Sequence, residues 1–167
     1  SHMAQEMRSP IESGCPDAFQ YMHPVMRKNY GQWAYHEDPQ PGVLVHVSNN
    51  GDKIWTVRAG TQRILDVFTL RKLCDIGDEY GEGYIHFTIR SNIEYQVADE
   101  AKVQPLIDKL REAGFIVGGT RNSVAMISHT QGWLHCDIPG TDASGVVKSM
   151  MDELIGEFTS WEMPNRV

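Results

Sequence analysis

The chain lacks any apolar run long enough to span a membrane, and its first residues show no basic-then-apolar leader, so neither a membrane span nor a secretory signal is read from it. Positive charge is also short. Fifteen Lys and Arg against 22 Asp and Glu give a formal net charge of −7, which disfavours nucleic acid and anionic membranes as partners. A local arginine cluster for a small anion remains compatible with that sign. Cysteine is scarce: Cys15, Cys74 and Cys136 are odd in number and form no Cys-x-x-Cys pair. This argues against a disulfide framework or a common zinc pattern, and it fits a reducing cytoplasm. No spacing marks a Ser-His-Asp or Cys-His nucleophile. Gly118-Gly119-Thr120 lacks the Gly-Lys-Ser/Thr ending of a phosphate loop and reads as a flexible turn.

What is present is an ordinary globular composition, 41 % apolar and 22 % charged over 167 residues, enough for one domain or somewhat more. Ser1-His2-Met3 looks like the scar of a cleaved tag and stays outside the fold argument. Residues 4–41, punctuated by proline and dotted with Phe19, Tyr21, Tyr30, Trp33 and Tyr35, read as an extended arm anchored by its aromatics. Val43–Val47 and Lys53–Arg58 around Asn49-Asn50-Gly51-Asp52 predict a β-hairpin. Leu70, Leu73, Cys74 and Ile76 recur at helical spacing within 69–80, closed by Gly81. A second hairpin follows over 83–97, then a helix with Val103, Leu106, Ile107 and Leu110 on one stripe, and a short strand at 115–117. Pro105 places the start of that helix near residues 102–104. A last helix, capped by Thr141 or Asp142, carries Val147, Met150, Met151, Leu154 and Phe158 on one face. From Lys53 onward the order strand, helix, strand, strand, helix, strand is that of an α+β, ferredoxin-like split βαβ domain. That fold hosts many functions and decides none.

Two groups of residues could carry chemistry. Arg58 and Arg63 flank the end of one strand and Arg90 ends another, so neighbouring strands would gather guanidiniums whose planar forks suit carboxylates or an oxyanion. Solvated arginines paired with Asp66, Asp75 or Glu94 are the plainer alternative. The second group is His129-Thr130-Gln131-Gly132-Trp133-Leu134-His135-Cys136-Asp137. Its spacing matches no familiar metal pattern, and His135 and Cys136 would point oppositely if extended. No metal ligand is assigned. A polar loop against a partner or prosthetic group, with Trp133 as an apolar wall, suits these residue types better.

Several strings resemble the beta subunits of dissimilatory sulfite reductases, in the sirohaem nitrite/sulfite reductase superfamily. They are residues 56–63 (TVRAGTQR), 73–76 (LCDI), 87–94 (FTIRSNIE), 129–136 (HTQGWLHC) and 139–145 (PGTDASG) leading into 151–154 (MDEL). The resemblance covers nearly the whole chain after the tag-like start. It implies an oxidoreductase acting on sulfur compounds: a cytoplasmic α2β2 enzyme with sirohaem coupled to a [4Fe–4S] cluster, converting between sulfite and reduced sulfur. It further implies an alpha-subunit partner and a small sulfur-carrier protein with a C-terminal cysteine arm. It divides the chain into an arm (4–41), a ferredoxin-like domain (42–120) and the start of the sirohaem and cluster domain (121–167). Arg58 and Arg90, with Arg63 less closely, match arginines that hold sirohaem carboxylates or the substrate anion. His129, Trp133 and His135 would lie near the tetrapyrrole or the alpha subunit. No catalytic residue is assigned.

The resemblance places the cluster cysteines downstream of Val167, so the chain is expected to be an N-terminal piece that alone neither holds the coupled cofactor nor reduces sulfite. The stretch from Ile11 to Pro24 looks closer to the sulfur-oxidising branch, which would run the reaction in reverse. Two alternatives stand beside this: a non-catalytic ferredoxin-like module binding an anion or a protein, and an assimilatory sulfite or nitrite reductase.

Overall fold

The structure, a computed structural model, describes residues 17–62, 64–133, 135–160 and 163–165. Cys15 and Arg63 lie outside them. Three strands come first: β1 (Trp33–Gln40), β2 (Val43–Ser48) and β3 (Lys53–Gly60), an antiparallel meander. The expected order from Lys53 onward is realised. After β3 come α2 (Val67–Tyr80), β4 (Ile85–Phe87), β5 (Asn92–Val97), α3 (Val103–Glu112) and β6 (Ile116–Val117). Strand β5 lies between β3 and β4, and β6 pairs with β3 on its other edge. The resulting order β6-β3-β5-β4 is the split βαβ arrangement.

Local chemistry sets the helix ends. Asp66 caps α2 by accepting the Thr69 amide at 2.7 Å. Pro105 falls in the first turn of α3, where its missing N–H has no intrahelical partner to lose. The final helix α4 (Ala143–Phe158) is capped by Asp142, which accepts the Gly145 amide at 3.1 Å.

Alternation along the strands splits the sheet into two faces. Val43, Val45 and Val47, Trp55, Val57 and Ala59, and Ile93, Tyr95 and Val97 face α2 and α3 in one core. There they meet Leu73, Ile76, Leu106, Ile107 and Leu110. Tyr95 closes this core with its hydroxyl, which donates to the Leu73 carbonyl at 2.9 Å. The intervening residues, among them Leu44, His46, Thr56, Arg58 and Glu94, make the opposite face.

Of the two segments before β2, one extends the sheet and the other folds onto it. Residues 33–40, read from sequence as part of an extended arm, pair with β2 as a strand at the sheet edge. Before them, a 3-10 turn (Ala18–Tyr21) and α1 (Pro24–Lys28) fold back onto the sheet. Asn29 donates to Asp52 at 2.9 Å and accepts from Asn50 at 3.0 Å, while His23 Nε2 meets Glu82 at 2.6 Å. Of the aromatic anchors, Phe19 and Tyr30 meet at a tilt and Trp33 packs by His46, while Phe19, Tyr21, Tyr30 and Tyr35 are all exposed.

At the other end, α4 and residues 118–127 form a second cluster. Val124, Met151 and Phe158 are buried together, with Met126, Ile127, Val147 and Leu154 against them. Met150, expected on the same stripe, is exposed instead. Phe158 reaches the sheet: a β-carbon on Gly60 would stand 3.2 Å from its ring.

Candidate functional site

Strand β3 changes partner at Arg58. Residues 53–57 pair with β2 and residues 59–60 with β6. Between them, the Arg58 amide donates to the Gly42 carbonyl at 2.7 Å, and the Arg58 carbonyl accepts the Gly118 amide at 3.2 Å. The crowding explains Gly42, which sits at φ +82 and would place a β-carbon 2.5 Å from Val117 Cγ1.

The Arg58 side chain emerges on the second face and is held on two sides. Its Nε donates to Glu94 Oε1 at 2.6 Å, and Nη2 stands 2.6 Å from the same oxygen. Nη1 donates to the Gly119 carbonyl at 2.5 Å. Glu94 sits directly opposite Arg58 across the β3–β5 ladder and is 6 % exposed. Its second oxygen lies 2.5 Å from Nε2 of the exposed His86 on β4. Burial pushes the Glu94 carboxyl up, but the hydrogen bond from His86 and the charge of Arg58 outweigh it and hold the group below its ordinary value.

Arg58 lines a cleft of about 350 Å³ with His36, Asp38, Leu44, His46 and Arg121. His36 and His46 face each other across β1 and β2, ring centroids 6.2 Å apart. Burial, and secondarily His36, lower the His46 pKa, so near neutral pH this ring adds no charge. The cationic character of the cleft comes from its arginines. Arg121 sits in a left-handed conformation, φ +49, just after the loop that holds Arg58, and no ion pair engages it among the described residues. One Asp38 oxygen, Oδ1, is buried there without a hydrogen-bond partner among the described residues.

The residues singled out from sequence are dispersed. Arg58 is in the cleft and, as the plainer alternative had it, also paired with Glu94. Arg90 is exposed on the β4–β5 turn, and Arg63 lies outside the described residues. Ser128 donates to the Ile89 carbonyl at 3.3 Å, which sets the loop of His129 beside the Arg90 turn. His129 is half-buried there, with Nδ1 2.6 Å from the Thr130 carbonyl, while Trp133 and His135 are exposed. Sequence reasoning missed His36, His46, Glu94 as a scaffold, and Arg121. Register supplied the first three and a loop path the fourth. Among the described residues, no three His, Cys, Asp or Glu side chains stand together as metal ligands, and Cys74 and Cys136 are both exposed. No described helix is long and apolar enough to cross a membrane.

Residues 46–113 match the family described as the Nitrite/Sulfite reductase ferredoxin-like half domain, and the strand order above is that domain's α+β fold. The chain is a homologue of dissimilatory-type sulfite reductase beta subunits. It is 49 % identical over 150 residues to that of Archaeoglobus fulgidus, a match covering 86 % of this chain and 41 % of the relative. Identity to the Nitratidesulfovibrio vulgaris subunit is 45 % over 152 residues, covering 87 % and 40 %. With the Megalodesulfovibrio gigas subunit it is 43 % over 169 residues, covering 96 % and 64 %. The chain thus spans about two fifths of the length of the first two relatives. A crystal structure of dissimilatory sulfite reductase I superposes with a TM-score of 0.72 over 85 % of this chain and 37 % of the other, at 12 % identity, a likeness of fold.

Proposed function

We propose that this chain belongs to an oxidoreductase beta subunit that interconverts sulfite and reduced sulfur, and that it supplies a cationic wall for a carboxylate-bearing cofactor or the substrate anion. The observation that carries this is the Arg58 guanidinium, fixed on two sides and opening with Arg121 into one cleft. The homologues' names supply the substrate.

Sirohaem carries many carboxylates, and the donor set of the cleft fits such an edge. Arginine forks bind carboxylates through paired N–H···O contacts. Bound sirohaem would supply the electron transfer to sulfur. The chain's own residues do the rest: Arg58 and Arg121 offset anionic charge in the cleft, and Leu44 gives it an apolar wall. Arg90 and the loop of His129, Trp133 and His135 form a neighbouring rim proposed to face the cofactor or an alpha subunit.

Residues 121–167 are read as the start of the cofactor domain, and the α2β2 assembly, the sulfur carrier and the cytoplasmic setting come with the same proposal. The reaction direction would be set by the electron partners' potentials. The test is to produce the full-length beta subunit with its alpha subunit and measure sulfite turnover and bound tetrapyrrole spectrally. Arg58→Ala combined with Arg121→Ala should lower both. Full occupancy and turnover in the double variant would overturn the proposal.

A further inference from the structure

Resting on that reading of the Arg58 cleft, we infer that Glu94 is a positioning residue: it fixes the arginine fork for an incoming anion, and His86 holds it in place. The simplest electrostatic expectation runs the other way. A buried carboxylate 2.6 Å from the anion-binding arginine cancels part of its charge and should weaken anion binding. Geometry argues that orientation matters more. Glu94 engages Nε and Nη2 through one oxygen, and the Gly119 carbonyl engages Nη1. A guanidinium has five N–H donors, so two remain, one on each terminal nitrogen. Arg58 lines the cleft, so these remaining donors are what its guanidinium has to offer an anion there.

Without Glu94, the side chain would regain torsional freedom and the bound anion would have to order it at an entropic cost. His86 acts one step further out. By occupying Glu94 Oε2 at 2.5 Å, it leaves Oε1 as the oxygen that meets Arg58. Other elements do not substitute. Asp38 and His36 on β1 and His46 on β2 line the same cleft, yet no hydrogen bond or ion pair joins them to Arg58.

The test uses the 167-residue chain, with sulfite and citrate as oxyanion and carboxylate probes titrated at constant pH. In the parent, the Arg58 Nε–H and Nη–H resonances should be individually resolved, the signature of a guanidinium that cannot rotate freely, and should shift as either probe is added. Glu94→Gln keeps the shape and one acceptor but removes the charge. It should raise Kd about tenfold, average the Nη signals, and leave a double variant with Arg58→Ala no weaker than Arg58→Ala alone. His86→Ala should give a smaller change in the same direction. If Arg58→Ala weakens binding but Glu94→Gln leaves it equal or tighter, the positioning role is wrong and the cleft reading stands. If Arg58→Ala changes nothing, the cleft reading itself fails. Should Glu94→Gln not fold, the parent spectrum decides: averaged Arg58 signals in the anion-bound chain would overturn the inference.

Discussion

The Gly119 amide donates to the Phe158 carbonyl at 2.7 Å, so the last turn of α4 is bonded to the loop whose own carbonyl holds Arg58. Gly119 lies at φ +74, and a β-carbon there would stand 2.7 Å from the Phe158 ring. The helix, the glycine and the arginine form one mechanical chain.

Phe158→Ala should therefore act twice. The ring is 1 % exposed, and its loss should cost about 3–5 kcal/mol in urea unfolding. Anion affinity should fall as well, since the 118–120 loop loses its backing. A stability loss with unchanged affinity would show that the loop is held by other means.

Arg58→Ala and Arg90→Ala should separate cleanly in stability. Removing Arg58 leaves Glu94 buried with His86 as its remaining side-chain partner among the described residues, at a cost of about 3–5 kcal/mol. The exposed Arg90 has no ion pair among the described residues, and its removal should leave the urea midpoint unchanged. Equal midpoint shifts for the two variants would contradict this.

Acid should find the same pair. Glu94 is depressed in the folded chain relative to its ordinary 4.5, so its contribution is fully present above the unfolded value and is lost as pH falls through the folded one. Stability measured from neutral pH downward should therefore drop steeply below about 4.5 in the parent. Glu94→Gln should be less stable at neutral pH and shallower across that window. Parallel curves would rule out Glu94 as a source of the acid sensitivity.

Arg121→Gly should trade binding for ease of backbone. A non-glycine residue at φ +49 carries about 1–2 kcal/mol of local cost. Glycine removes that cost but gains unfolded-state entropy, so stability should hold or rise slightly while affinity for sulfite and citrate falls. A large drop in stability would mean that the side chain holds the loop together.

Much of the fold was legible because period and punctuation are local. The stripe of Val103, Leu106, Ile107 and Leu110, the Asn-Gly turn and the Asp142 cap all announce themselves within a few residues. Strand β1 was harder: Trp33 to Gln40 is mostly polar because it is an exposed edge, and its pairing depends on β2. The site was least legible. Arg58 could be singled out by type, but its union with Glu94 is a cross-strand register 36 residues apart, and with Gly119 a contact 61 residues apart. Arg121 gave no signal, since its role comes from where a glycine-rich loop passes over the sheet. Arg58 and Arg90 were expected to share a region because both end strands; β3 ends at the cleft, while the β4–β5 turn carries Arg90 to the rim.

The two-faced sheet makes β3 a strand with two vocations on alternate positions. Trp55, Val57 and Ala59 serve the core, and Arg58 between them serves the cleft. A saturation scan along this strand should therefore read as a comb, with abundance-lowering substitutions alternating with binding-lowering ones. A single inserted residue in the 49–52 turn would invert the comb, driving Arg58 toward the valines and Val57 toward the anion. Drift at one set of teeth can proceed without the other, but indels here would be purged, because one slip forfeits both properties at once.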